Sequence, residues 1–250
     1  MAELIILGSA SAIPDLQHEN THMLLQTENH RVLVDAPGNP IVRLQQAGID
    51  PLSITELILT HFHPDHVAGA PLFLMVSWLK KRVLPLHVYG LDETLTNFEK
   101  LMDLYQWYAW PDMYPVIFHH LPTHQNQPVF TSSELQVVCA PVKHIIPNIG
   151  LRFTLQPAGT VVAYSSDTEP TQAVVQLAGG AHLLVHEASG ASLGHTSAEQ
   201  AGEIAAQAGA HRLMLIHYPT ARQDQLAAEA QRTFKGEVLV ARDLLRVPLS

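Results

Sequence analysis

One cysteine, Cys139, is all that 250 residues contain. A lone cysteine forms no internal disulfide and no thiolate zinc cluster. Its surroundings, "LQVVCAP", read as a strand, so Cys139 is expected to be a small core residue. Charge is also scarce: 15% of residues are charged against 47% hydrophobic. That balance excludes a disordered chain and predicts a well-packed globular one. What charge there is leans negative, to a formal net of −9. A protein that grips polyphosphate needs clustered Lys and Arg to release counterions, and the one basic cluster is Lys80-Lys81-Arg82, which reads as a solvated helix end. Composition thus argues against a large RNA or DNA footprint. No apolar run nears the roughly 18 to 20 residues of a membrane helix. The first residues, "MAELIILGSAS", carry Glu3 and only a short apolar run, not a basic segment followed by a long apolar one. The expectation is a cytoplasmic protein with no membrane partner, folded as a single domain over residues 1–250.

Histidine is the exception, with 16 copies. It is the commonest metal ligand and titrates near neutral pH, so its placement matters. Short apolar, β-branched runs predict strands at 3–8, 22–27, 31–36, 56–61, 86–90, 114–121, 134–140, 150–156, 160–167, 182–188 and 212–218. Between them, helical spacing or composition marks 40–47, 71–82, 92–108, 170–178, 197–209 and 222–232. Thr196 or Ser197, followed by Glu199 and Gln200, offers an N-cap for "SAEQAGEIAAQAG", and Gly209 would end that helix. The mixture predicts an α/β architecture of mixed sheets covered by helices. The aromatic segment 105–118, "YQWYAWPDMYPVIF", is expected to pack on the core or on a partner subunit, with a substrate-pocket wall as the alternative.

The densest chemistry lies in "LILTHFHPDHVAG" at 57–69. His61 and His63 sit two apart at the end of a strand, so both side chains can leave on one side. Pro64 breaks the extended chain, and Asp65 and His66 come round on the next turn. One tetrahedral ion usually takes two ligands from so short a stretch. Two neighbouring metals, about 3.5–4 Å apart, are therefore the natural hypothesis. Further ligand types stand where strands stop: His144 after "VVCAPVK", Asp167 after "VVAYSS" and His217 after "LMLI". Strand ends are where a rigid scaffold meets an exposed loop. Taken singly, His144 reads as a surface or core histidine, Asp167 as a helix N-cap and His217 as a strand end. The four-residue run is what makes the joint reading stronger.

"HFHPDH" resembles the His-x-His-x-Asp-His signature of the metallo-β-lactamase superfamily, and His144, Asp167 and His217 follow in the order of its remaining metal motifs. "VLVDAPG" at 32–38 is similar to the Asp-containing turn before that signature. The resemblance implies a four-layer αββα sandwich with two metals at one edge of the sheets. One ion would take His61, His63 and His144, the other Asp65, His66 and His217, with Asp167 bridging. This thiolate-free donor set suits two zinc ions per chain, and admits manganese or iron.

Three further stretches narrow the resemblance to the ribonuclease Z-like branch: "GSASAIP" at 8–14, "LLVHEAS" at 183–189 and "GHTSAEQAGEIA" at 194–205. The carry-over makes His195 the group near the scissile phosphate and Glu187 the carboxylate that orients it. Asp65 would hold a metal and accept a proton. The implied activity is a hydrolase and nuclease-like phosphodiesterase, with a metal-bridging hydroxide attacking phosphorus and His195 assisting the leaving oxygen. Its substrate would be RNA or a small or cyclic phosphodiester. Related enzymes are often homodimers.

The pattern departs from its relatives in two places. Bacterial members carry a long tRNA-gripping arm between the third metal histidine and the bridging aspartate. Here only 22 residues separate His144 from Asp167, and they read as two strands and a turn. The segment after His217, "YPTAR", also differs from the usual His-Phe-Ser, although Arg222 remains available to a phosphate. Phosphodiesterase chemistry is therefore expected without efficient tRNA processing. The alternatives are an acyl hydrolase (lactone, thioester or β-lactam) on the same metals, in which His195 and Glu187 need another explanation, and a non-catalytic metal-bearing sensor.

Overall fold

The computed structural model describes residues 2–249. Fourteen strands form two sheets of seven. Three strands, β1 (Glu3–Gly8), β2 (His22–Gln26) and β3 (Arg31–Val34), make an antiparallel meander, and β4 (Glu56–Ile58), β5 (Leu86–Leu91) and β6 (Val116–Leu121) continue it in parallel. The second sheet repeats this plan. Its β7 (Gln127–Thr131), β8 (Leu135–Val142), β9 (Asn148–Leu155) and β10 (Val161–Tyr164) are antiparallel. Then β11 (Leu183–Glu187), β12 (Arg212–Ile216) and β13 (Glu237–Val240) are parallel. The last strand, β14 (Arg246–Pro248), returns to the first sheet and pairs with β1.

Side-chain alternation along each strand explains the layering. In β1, Leu4 and Ile6 join the core between the sheets, whereas Ile5 and Leu7 join the core under the helices. In β5, Tyr89 and Leu91 take the first side, Leu86 and Val88 the second. Both faces of these strands are covered, which is why their sequences run nearly continuously apolar. Helices α1 (Pro40–Gln46), α2 (Pro64–Val67), α3 (Ala70–Leu79) and α4 (Asp92–Leu104) accompany the first sheet, and α5 (Gln172–Leu177), α6 (Ala198–Ala208) and α7 (Gln223–Ala230) the second. The result is the αββα sandwich of the metallo-β-lactamase fold, as the motifs imply.

The sequence reading locates six helices and eleven strands but misses α2, β7, β13 and β14. Each is short, and β13 and β14 carry charged or polar positions that hide their alternation. Ser197 caps α6 through a capping box with Gln200, and Gly209 closes the helix at φ 63°. Cys139 is buried, as its strand predicts. Arg82 corrects the reading of the basic cluster. Lys80 and Lys81 are exposed, but Arg82 is only 6% exposed and its guanidinium donates to the carbonyls of Leu52, Ile54, Leu84 and Pro85. It ties the end of α3 to the approach to β4 and presents no charge to a nucleic acid.

Candidate metal centre

The signature run leaves β4 where the parallel part of the first sheet ends, so its side chains gather at the sheet edge. Pro64 begins α2, a single turn that carries Asp65 and His66 round toward His61. The residue after this turn must be small. A Cβ on Gly69 would lie 2.5 Å from the carbonyl of Gly38 and 2.7 Å from that of Pro37, and its N–H donates to Ala36. His144 arrives from the loop after β8, Asp167 from the end of β10 and His217 from the end of β12. All seven sequence-selected ligands converge, and both sheets contribute.

Two clusters of these seven result, and His144 and Asp167 also fall into a third group with His195. The first joins His61, His63 and His144, and the second Asp65, His66, Asp167 and His217. In the first, Nδ1 of His63 lies 3.1 Å from Nε2 of His61 and 3.1 Å from Nε2 of His144. Two nitrogens bound tetrahedrally to one ion at 2.0–2.1 Å would stand about 3.3 Å apart, so the spacing fits a shared ion. Asp167 connects the clusters. Its Oδ2 lies 3.1 Å from Nε2 of His217, 3.5 Å from that of His66 and 4.0 Å from that of His61.

In His61, His66 and His144 the other ring nitrogen is occupied away from the centre, which aims the ligand atom inward. His61 Nδ1 meets the Thr60 hydroxyl at 3.0 Å, and His144 Nδ1 donates to the carbonyl of Gly194 at 2.8 Å. His66 Nδ1 donates to Asp35 at 2.8 Å. Asp35 also accepts from the Thr60 amide and hydroxyl, so one buried carboxylate orients ligands on both sides of the signature. By contrast, His66 Nε2 and Asp167 Oδ1 are buried without a hydrogen-bond partner. Orphaned atoms of this kind are costly unless something binds them. Burial alone would raise the Asp167 carboxyl, but His217 and His66 hold it well below the usual carboxylate range. The donor set therefore fits two cations.

Backbone strain collects here as well. Asp35, Ser166 and His217 all adopt left-handed conformations, at φ 61°, 51° and 51°. Each such residue costs on the order of 1–3 kcal/mol and persists only where its surroundings fix it. His217 is fixed on both sides: its N–H donates to Ser9 O at 2.9 Å, and its carbonyl accepts from the Ser189 hydroxyl at 2.7 Å.

Glu187 and His195 stand beside the clusters. Glu187 is fully buried and accepts from the amides of Thr168, Ser189 and Thr196. Its Oε1 takes Nδ1 of His195 at 3.0 Å. That hydrogen bond raises the imidazole pKa above its ordinary value, against the opposing effect of burial. His195 is partly exposed and lines a cavity of about 400 Å³ together with His63, Asp65, Asp167, His217 and the loop Ser11–Ile13. No lysine or arginine is among the described residues that line it.

Two sequence-level alternatives are corrected by this cavity. Arg222 is absent from its lining and pairs instead with Glu229 at 2.7 Å. Trp107, Tyr108 and Trp110 are also absent; Tyr105 and Trp110 line a separate apolar cleft with Pro71, Leu72 and Met75. Sequence reasoning passed over Asp35, Thr60, Ser9 and Ser189 as site residues. Asp35 left a local signal as a lone acid closing an apolar strand in "VLVDAPG", and Ser9 and Ser189 lie inside the stretches "GSASAIP" and "LLVHEAS"; Thr60 left none of its own.

Comparison with known proteins agrees with this geometry. A family model described as anti-Pycsar protein Apyc1 matches residues 2–238. A ribonuclease Z of Methanothermobacter thermautotrophicus is 26% identical, with 99% of this chain and 96% of that protein covered. That alignment runs over 304 positions against a chain of 250, so the relative carries inserted segments that this chain lacks. Among solved structures, the metallo-β-lactamase fold protein YhfI of Bacillus subtilis superposes with a TM-score of 0.84 at 23% identity, with 98% of both chains covered. The short form of human tRNase Z gives 0.83 at 20% identity, with 99% of both chains covered.

Proposed function

This chain belongs to the family described as anti-Pycsar protein Apyc1, and from that premise and its two-cluster site we propose a metal-dependent phosphodiesterase acting on small diesters that carry a single scissile phosphate. The observation that carries the reading is the Glu187–His195 pair at 3.0 Å beside seven metal-type ligands. Hydrolysis of a phosphodiester needs a donor for the leaving oxygen, and an imidazole whose proton is held by a carboxylate supplies one. The ribonuclease Z name of the relatives supports the same bond type.

Two cations, when bound, would supply Lewis-acid polarisation of the phosphoryl group and activation of the attacking water. His61, His63 and His144 would hold one, Asp65, His66 and His217 the other, and Asp167 is within reach of both groups. Zinc suits these imidazole and carboxylate donors. Everything else belongs to the chain's own side chains. Asp65, at the cavity wall, receives the proton lost by the water. His195 donates from the ring nitrogen not engaged by Glu187, and Glu187 keeps that ring oriented.

Substrate size follows from charge. Each further phosphate of a polynucleotide calls for a nearby cation, and no lysine or arginine is among the described residues that line the cavity. The segment between His144 and Asp167 is β9, β10 and their turn, with no inserted arm. Small or cyclic diesters are therefore favoured over RNA. The test assays bis(p-nitrophenyl) phosphate, a cyclic mononucleotide, a precursor tRNA and a lactone and thioester panel in parallel with metal analysis. Turnover of the small diesters well above the others is expected; hydrolysis confined to acyl substrates would refute the reading.

The reading includes self-association. α3 contains no charged residue and is apolar on all sides, yet Leu79 is 57% exposed, and the adjoining Tyr105 and Tyr108 are exposed too. A helix of that kind is ordinarily covered. Sedimentation should give a dimer that Tyr108→Glu converts to monomer; a monomeric wild type would remove this part of the proposal.

A further inference from the structure

The wall of the cavity is anchored from the far end of the chain. Asp243 lies 234 residues after Ser9 and accepts its hydroxyl at 2.7 Å. The other carboxylate oxygen accepts the Glu19 amide at 2.8 Å and Nη2 of Arg43 at 2.6 Å. Arg43 in turn donates through Nε and Nη2 to the carbonyl of Leu7. Ser9 is fully buried, and its own carbonyl accepts the amide of His217. Two residues on, the Ser11 amide donates to the carbonyl of Tyr218 at 3.1 Å. Tyr218 is likewise buried, and its hydroxyl donates to Ala241 O at 2.5 Å.

We infer that Asp243 is a positioning residue for the site: through Ser9 it fixes the strained backbone of His217 and the loop Ser11–Ile13 that walls the cavity. The physical reason is the conformation of His217. Its φ of 51° is unfavourable for a side chain with a Cβ, so its ring stays aimed only while its amide is held. The Ser9 carbonyl does the holding, and Asp243 with Arg43 holds Ser9. The ion pair is partly shielded, with side-chain exposures of 9% for Asp243 and 16% for Arg43. Three donors converge on the one carboxylate, so its loss would leave the Ser9 hydroxyl without its acceptor and Arg43 without its counter-charge.

This inference rests on the two-metal reading, and its test separates the two. Three variants are compared with wild type: Asp243→Ala, the milder Ser9→Ala, and Arg246→Ala as a structural control. Arg246 lies on the same C-terminal segment and pairs with Glu3 at 2.6 Å away from the site. Cobalt binding is titrated in competition with a chelator, and thermal melting is recorded alongside. In Asp243→Ala and Ser9→Ala, one of the two cobalt ions should bind more weakly by about 10- to 100-fold, as when other partners that orient ligands are lost. With cobalt saturating, KM for bis(p-nitrophenyl) phosphate should rise several-fold and kcat should change less. Arg246→Ala should lower the melting temperature and leave cobalt affinity and KM alone. Unaltered cobalt affinity in both site variants, or an equal loss in Arg246→Ala, overturns the inference. A wild type that binds two ions without cleaving diesters overturns the proposed function and leaves the cobalt comparison decisive for Asp243.

Discussion

Asp167→Ala should abolish phosphodiesterase activity and strip the protein of most of its metal. The Asp167 carboxylate is 2% exposed and stands among the imidazoles of His217, His66 and His61. It is the one negative charge that reaches both clusters. Without it, two cations would be held close together by one carboxylate, that of Asp65, and their mutual repulsion in a buried site would be uncompensated. Metal polarisation is worth several kcal/mol in the transition state, and each 1.36 kcal/mol is tenfold in rate, so a loss of about 10³-fold or more is expected. Plasma emission analysis of the purified variant alongside kcat/KM checks the claim. Two ions retained at wild-type affinity would show that Asp167 is not a ligand.

The second large effect concerns His195. His195→Ala should lower kcat by about 10²- to 10⁴-fold while both metals stay bound. The dissociation of the two readouts is the point, since a ligand mutation moves metal and rate together. Glu187→Gln tests the same pair more gently. In the native protein the hydrogen bond to Glu187 raises the His195 pKa. The donor form therefore predominates below that raised value and is lost as pH rises through it. A neutral glutamine removes the carboxylate's contribution, so the alkaline limb of kcat should move to lower pH. An alkaline limb that stays put, or one that moves to higher pH, would separate Glu187 from the proton that His195 delivers. A His195→Ala enzyme that has lost its metals would assign His195 to the ligand set instead, which its proximity to His144 and Asp167 makes a real contrast.

Much of the site is legible along the chain because its largest part is local. His61, His63, Asp65 and His66 fall within six residues, so their spacing reports a shared destination before any fold is known. His144, Asp167 and His217 carry a weaker signal, the end of an apolar strand, and gain meaning only when added to the run. Asp35 shows the limit of such reasoning. Nothing in "VLVDAPG" says that the carboxylate will receive four hydrogen bonds or close three of them on Thr60. That depends on β3 and β4 lying side by side in parallel. Arg82 marks an outright misreading. Three consecutive basic residues look alike in sequence, but the third turns inward to four carbonyls because the chain end of α3 passes over β4's approach.

The sheet plan shows the same division. Strand periodicity and helix caps are properties of neighbours in the chain, so most elements are readable one at a time. The repetition of a meander followed by parallel strands in both sheets is not, since no period in the residues marks it. By itself the sequence marked the metal-type residues, through local spacing and strand ends, and through the resemblance of its motifs it implied the layer class and the His195–Glu187 pairing. Only the tertiary structure decided that no lysine or arginine is among the described residues lining the cavity, that Asp35 sits behind the ligands, and that Asp243 accepts the Ser9 hydroxyl. Those facts rest on contacts between residues up to 234 positions apart, and a contact of that range is created by the packing of whole strands rather than by any stretch of the chain.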